Sequence, residues 1–413
     1  MKQTIKAFFL DPRTAFAAYL IAALAASAQL IGTGPHLFGM PQPGTFPPAV
    51  LEHLHFKEYV GYYMVDYNNY VIFKQSYFHL IQGKDLYCIY PASYWDLYKY
   101  SPTFALFMAP FAYLPDYLGL PLWNLLNALA LLFAVRLLPF STKTQTLLLW
   151  FMGVELLTSM QNAQSNGLMT GLIIAAYSCL QNKKTIWATL WLVLSVYIKV
   201  YGAIGFCLFL FFPDKLKFIG HAAFWAVLLA LLPLAVTPIA TLIWQYHNWA
   251  AMMTDDQAFS NGLSVMGWLH SWFGIDKGKG IISAIGILLF LLPFLRWKLY
   301  PNQVYQLLTL ASLLIWVIIF NHKAESPTFI IAIAGVGIWY FTGQPLLWRN
   351  TMLALVFIFT CLSPSDVFPH FIREHYFEPY AIKAIPCIAL WAIVFITLMT
   401  MKSTLQLPDA RRA

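Results

Sequence analysis

Charge is what this chain of 413 residues has least of. Asp, Glu, Lys and Arg make up 10% of it, against 60% hydrophobic residues, where soluble domains carry roughly 25% charged residues. A soluble fold of this length has no way to cover so much apolar surface, so the composition points to an all-α polytopic membrane protein. Acidic residues are scarcer than basic ones, and the formal net charge is +8. In a membrane chain that excess reflects how loops are punctuated rather than affinity for nucleic acid.

Cysteine is also sparse. The five (Cys88, Cys179, Cys207, Cys361, Cys387) form no CxxC and have no His at ligand spacing, which argues against a disulfide framework or a zinc site. Four lie in or beside apolar runs, where cysteine behaves as a small hydrophobe. No GKS/T loop, GxSxG, HExxH or usable GxGxxG occurs, so nucleotide-dependent chemistry on the cytoplasmic side has no recognisable residues to run it. Internal repeats, common in carriers, are not evident either.

What is present is a series of apolar runs. Lys2, Lys6 and Arg13 precede a run ending in Ala26-Ser27-Ala28, which has the form of a signal peptide and is read here as an uncleaved first span. A helix crosses a bilayer with about 20 apolar residues, fewer when it is short or broken. Spans are expected at 14–32, 119–138, 144–159, 167–181, 185–198, 202–212, 218–242, 280–295, 303–320, 326–342, 350–362 and 383–401. The run 103–115, bounded by Pro102 and Pro115, is expected to be re-entrant or interfacial. The chain reads as one domain over 1–413, with 33–118 as a large first extracytoplasmic loop.

The positive-inside rule sets the orientation. With both termini cytoplasmic, one side collects fifteen basic residues and three acidic ones, the other ten basic and thirteen acidic, with Glu155 inside a span. The polar segments then fall on the extracytoplasmic side: the loop around Asp66, Gln161 to Asn166, Lys199, Asp255-Asp256-Gln257, Asn321 to Pro327, and Arg373-Glu374-His375.

Several of these carry candidate chemistry. Asp66 lies among Tyr62, Tyr63, Tyr67 and Tyr70; a carboxylate there suits a general base toward a hydroxyl, though by residue type alone a helix N-cap is favoured. Lys199 stands between two short apolar helices. A cation at such a break is costly unless paired or hydrated, so it either meets an anion, phosphate above all, or snorkels to the interface. His322, Lys323 and Glu325 crowd one tight turn, and Arg373 has the fork that binds phosphate bidentately. Each of these also suits an ordinary solvated loop.

Together the residues resemble glycosyltransferase family 87. The resemblance runs through Asp66-Tyr67-Asn68-Asn69-Tyr70, Gly83-Lys84-Asp85-Leu86-Tyr87, Tyr100-Ser101-Pro102, Ala109-Pro110 and Leu114-Pro115, then Gln164-Ser165-Asn166-Gly167 and Lys199. It is looser at Ser260-Asn261-Gly262, where the family has Asn-Gln-Ser. One departure is plain: the glycine opening the family's Gly-Gln-x-Asn turn is Ala163 here.

The resemblance implies a GT-C type fold of about twelve spans in a cell (inner or plasma) membrane. It implies transfer of a hexose, mannose in the family's known members, from a polyprenyl-phosphate donor to an extracytoplasmic lipid or glycan acceptor, with inversion. Asp66 would be the base, and Lys199, Lys323, His322 and Arg373 would hold the donor phosphate. Tyr67, Tyr70, Tyr100, Gln164 and Asn166 would shape the sugar and acceptor pocket. No metal or cofactor is implied. The rival is a transporter or flippase for polyprenyl-linked or amphipathic solutes, using the same cations and aromatics without a base.

Overall fold

The computed structural model describes residues 7–33, 36–38, 62–90, 93–255, 261–275, 278–403 and 407–408. Residues 39–61 of the first loop, Asp256-Gln257, Ser260, Lys2, Lys6, Arg411 and Arg412 lie outside them.

Helices dominate because the apolar runs have nothing else to do with their backbone amides: in hydrocarbon each must be satisfied within its own segment. The chain opens with α1 (Pro12–Gly32), capped by Asp11, whose carboxylate accepts from the Arg13 amide at 2.8 Å. A two-stranded antiparallel pair, β1 (His36–Phe38) and β2 (Tyr62–Met64), leads into α2 (Asn68–Ile81). Two short helices follow, α3 (Pro102–Phe107) and α4 (Ala109–Ala112). The expected 103–115 helix is thus broken at Met108, just before Ala109-Pro110, because proline suits a first turn and interrupts a continuing one.

The apolar frame comprises α5 (Asp116–Leu137), α6 (Thr142–Gln161), α7 (Asn166–Gln181), α8 (Thr185–Ile198), a 3₁₀ segment at Val200–Phe211, α9 (Lys215–Leu231), α10 (Ile239–Asp255), α11 (Val265–Phe273), α12 (Lys279–Leu291), α13 (Gln303–Ile319), α14 (Phe329–Thr342), α15 (Leu347–Val356) and α16 (Ile385–Thr400). Among the described residues four helical segments, Pro12–Gly32, Asp116–Leu137, Lys215–Ala235 and Ile382–Thr400, are long and apolar enough to cross a membrane, and six shorter apolar helices accompany them. This is a helical membrane protein.

Its centre is the pair α13 and α14, buried on nearly every face, as expected of helices that are hydrophobic all round. Gly335 lets them close: a Cβ there would stand 2.6 Å from the Ala311 carbonyl. Small residues at such crossings are how membrane helices approach one another. The periphery is the reverse. Of the 17 residues of α9 only Phe218 and Leu229 are buried, while Leu216, Ile219, Phe224 and Val227 are exposed. That surface suits contact with lipid.

One expected span differs in kind. The run read as 218–242 contains Pro233 and Pro238, and the structure ends α9 at Leu231, makes a 3₁₀ turn at Leu232–Ala235 and starts α10 at Ile239. The segment 200–211 is also unusual in length for 3₁₀ geometry. At a rise of about 2.0 Å per residue, twelve residues cover roughly 24 Å, further than an α-helix of the same count.

Glu155 on α6 is fully buried, and Lys383, at the start of the last helical segment, donates to its Oε1 at 2.6 Å. This ion pair joins two elements 228 residues apart.

Candidate functional site

A cleft of about 420 Å³ is lined by Asn69, Phe73, Asp96, Lys99, Tyr100, Gln164, Lys199, Tyr201, Met252, Met253, Asn321, His322, Lys323, Glu325 and others. It gathers segments far apart in sequence: the start of α2, the loop before α3, the α6–α7 and α8–3₁₀ junctions, the end of α10 and the turn after α13. Arg296, Lys298 and Lys402 line a separate cleft with Trp297 and Met401.

Each cation and amide in the first cleft is placed by its helix end. Helix α8 stops at Ile198, and Lys199 leaves it in extended conformation (φ −141°, ψ 120°), its N–H still bonded to the Ser195 carbonyl. Gly202 keeps the turn tight against Ser195, where a Cβ would come within 2.9 Å. The Lys199 ammonium therefore faces the α6–α7 junction. It donates to Asn166 Oδ1 at 2.7 Å and reaches Gln164 Oε1 at 3.5 Å. It also lies 5.8 Å from the ring centres of both Tyr100 and Tyr201, within cation–π range.

The two amides are themselves held. Asn166 Nδ2 donates to Gln164 Oε1 (2.7 Å) and to the Pro327 carbonyl (2.9 Å), and Gln164 Nε2 donates to Glu325 Oε2 (2.9 Å). Lys199 thus rests on neutral amide oxygens and forms no ion pair among the described residues. Burial pulls its pKa down to about 8, with Glu325 working to raise it and Lys99 to lower it. The Tyr201 hydroxyl is buried and takes no partner among the described residues.

The turn holding Gln164 depends on Ala163, which is fully buried at φ +49°. This left-handed conformation costs an L-residue about 1–2 kcal/mol and explains why a glycine suits the position. Asp96, on the opposite wall, is another non-glycine residue with positive φ, at +76°.

Tyr100 lines the cleft beside Lys199. Its loop is fastened by Ser101, whose Oγ donates to the Tyr197 carbonyl at 2.6 Å, and by Tyr87, whose hydroxyl donates to the Tyr100 carbonyl at 2.9 Å. His322 and Lys323 line the same cleft. Their turn packs on Gly262 (φ +54°), where a Cβ would stand 2.5 Å from the His322 carbonyl, and Leu263 N–H donates to the Ala324 carbonyl at 2.8 Å. The sequence match there was loose, yet the glycine is what lets the two segments meet.

The remaining sequence candidates are placed elsewhere. Asp66 is exposed, in the turn that opens α2 one helical turn before the cleft residue Asn69. Tyr67, not Asp66, occupies the N-cap, and among the described residues the Asp66 carboxylate takes no hydrogen bond or ion pair. Tyr67 donates to Asp116 Oδ2 at 3.3 Å, and Asp116 also pairs with Lys74 at 2.8 Å, which ties α2 to the first turn of α5. Tyr70 is fully buried, with its hydroxyl 3.5 Å from the Phe111 carbonyl in space left by Gly119. Arg373 pairs with Asp366 at 2.8 Å and donates to the Pro364 carbonyl at 3.1 Å; it does not line the cleft.

Sequence reasoning did not single out Tyr201, Asn69, Asp96, Met252 and Met253 as wall residues. The methionines were hidden because α10 is amphipathic rather than apolar, and hydropathy passed over it. Gln245 and Asn248 on that helix hold the 84–86 turn, through Lys84 O (2.6 Å), Leu86 N (3.1 Å) and Asp85 Oδ2 (2.9 Å).

In comparison with known proteins, the model of Glycosyltransferase family 87 matches residues 98–364. No curated protein matches the chain.

Proposed function

The chain belongs to glycosyltransferase family 87, and on that premise we propose that it moves a hexose, mannose in the first instance, from a polyprenyl-phosphate donor to a lipid or glycan acceptor at the extracytoplasmic face. The whole of 1–413 acts as one GT-C type unit, with both termini cytoplasmic.

The observation that carries this reading is Lys199. A half-buried ammonium resting on neutral amides, open to a 420 Å³ cleft and without a carboxylate partner among the described residues, is suited to an incoming anion. A donor phosphate supplies it. The unpartnered Tyr201 hydroxyl stands ready as a second donor, and His322 and Lys323 line the same cleft. Arg373, occupied by Asp366, serves the phosphate less directly. Tyr100 and Asn69 bound the space beside the phosphate, where the sugar ring would sit; Gln164 and Asn166 act through Lys199, and Tyr67 and Tyr70 by holding α2 in place.

Chemistry then needs a base for the acceptor hydroxyl. Asp66 takes that role as a carboxylate not spent on capping or pairing among the described residues, one turn from the cleft wall. Its oxygen takes the hydroxyl proton as the acceptor oxygen bonds to the anomeric carbon. The bond from that carbon to the phosphate oxygen breaks, and polyprenyl phosphate leaves with its charge stabilised by Lys199. A single displacement inverts the anomeric centre, as in the general-base half of inverting glycoside hydrolysis.

The test is transfer by the purified protein in lipid nanodiscs, supplied with polyprenyl-phosphate-mannose and a lipid extract of the host membrane. A new glycolipid is expected from wild type, and Asp66→Asn should lower its rate by about 10²–10⁴-fold with donor binding retained. Equal rates would remove Asp66 as base. Movement of the unchanged lipid across the bilayer, with no glycolipid formed, would favour a transporter.

A further inference from the structure

The reading of Lys199 as the phosphate anchor leaves open what keeps the ammonium in place while the cleft is empty. We propose that Glu325 is the positioning residue for Lys199: by accepting from the Gln164 amide, it fixes which way the Gln164 and Asn166 side chains face and so presents their oxygens to the ammonium.

A side-chain amide has a donor end and an acceptor end, and either could face Lys199. Two contacts remove the ambiguity here. A carboxylate only accepts, so Glu325 Oε2, 2.9 Å from Gln164 Nε2, forces the Gln164 oxygen inward. The Pro327 carbonyl likewise only accepts, and holds Asn166 Nδ2 at 2.9 Å. The inward Gln164 oxygen then takes a second bond from Asn166 Nδ2, at 2.7 Å, which turns Asn166 Oδ1 onto Lys199 at 2.7 Å. Were Gln164 reversed, its NH₂ would point at both the ammonium and the Asn166 NH₂. Glu325 and Pro327 belong to one turn, so that single segment orients both amides.

Glu325 also supplies negative charge across the cleft without contacting the ammonium. The other groups facing Lys199 are Lys99 and Asp96 on the loop before α3, Tyr100 at its end, Tyr201 on the 3₁₀ segment, and His322 and Lys323 on the Glu325 turn. Of these, Lys99 works against protonation and Glu325 in its favour, while burial sets the overall direction.

The experiment is competitive amine labelling of the full chain in nanodiscs. Trace acetic anhydride is applied between pH 6 and 10, and acetylation of the Lys199 peptide is followed by mass spectrometry with and without polyprenyl phosphate. Wild type should show a midpoint near 8. Glu325→Gln keeps the shape and loses the charge, and should move the midpoint down by about half a pH unit. Glu325→Ala loses the hold on Gln164 as well and should move it further. Equal midpoints in Glu325→Gln and Glu325→Ala would overturn the assignment, since both variants lose the charge and differ in the hold on Gln164. Protection of Lys199 by polyprenyl phosphate reports separately on the anchor: a shifted midpoint without protection keeps Glu325 in its role and sinks the phosphate reading.

Discussion

The Trp123 indole nitrogen donates to the carbonyl of Ala163 at 2.9 Å, and so holds in place a residue whose backbone is in the left-handed region. The N–H of Ala163 is bonded to the Met160 carbonyl at 2.9 Å. The turn that presents Gln164 and Asn166 is thus kept by its surroundings, although alanine rather than glycine occupies its left-handed position.

A glycine at 163 should relieve that strain. Ala163→Gly is expected to stabilise the protein by about 0.5–1 kcal/mol, since the strain removed exceeds the added freedom of the unfolded chain. Transfer activity should be unchanged. Thermal unfolding in detergent would read it, and a lower midpoint in the variant would count against this account.

Activity should have an alkaline limit. On the proposed reading Lys199 anchors the donor phosphate only while protonated, so transfer should fall as pH is raised through about 8. Stability runs the other way. The folded-state value lies below the ordinary 10.5 of lysine, so between the two the unfolded chain binds more protons and this group's contribution to stability rises with pH. Rate and unfolding profiles of wild type and Lys199→Ala check both signs: the alkaline limb should vanish with the lysine.

Gly262→Ala should impair transfer by about tenfold with little loss of helix content. An added methyl would collide with the His322 carbonyl, backbone against backbone, and misplacements of about 1 Å near reacting groups carry rate costs up to that order or beyond. Circular dichroism together with initial rates separates this from unfolding. A variant as active as wild type would show the turn to be more yielding than its packing indicates.

Breaking the pair inside the bundle should be severe. Lys383→Met leaves the Glu155 carboxylate buried without its partner, at a cost of about 3–5 kcal/mol. Replacing both, Glu155→Leu with Lys383→Met, should recover most of it, because two apolar side chains need no solvation. The double-mutant cycle measured by thermal unfolding gives the coupling directly; additive effects would mean that the two charges do not depend on each other.

How much of this was legible follows from what hydropathy measures. Runs such as 303–320 and 326–342 announced α13 and α14 because those helices are apolar on every side. The stretch 218–242 misled, since hydropathy does not weigh Pro233 and Pro238, and α10 beyond them carries Gln245 and Asn248 toward polar partners. Lys199 stood out as a charge between two apolar runs. Glu325 was visible only as part of a crowded turn, because its partner Gln164 lies 161 residues away and no local pattern encodes such a distance. Tyr67 and Tyr70 carried the motif, but the motif does not say that Tyr67 meets Asp116 or that Tyr70 fills the space above Gly119.

The Glu155–Lys383 contact also bears on how the chain is made. A ribosome delivers Glu155 to the bilayer 228 residues ahead of its counter-ion, so the nascent protein carries an unmatched acid through most of its synthesis. The closing segment brings that acid its partner last, so a chain halted before residue 383 keeps Glu155 without it. Such a truncated chain should be degraded rapidly in cells, and Glu155→Leu should prolong its life; equal half-lives in a pulse-chase would separate quality control from this charge.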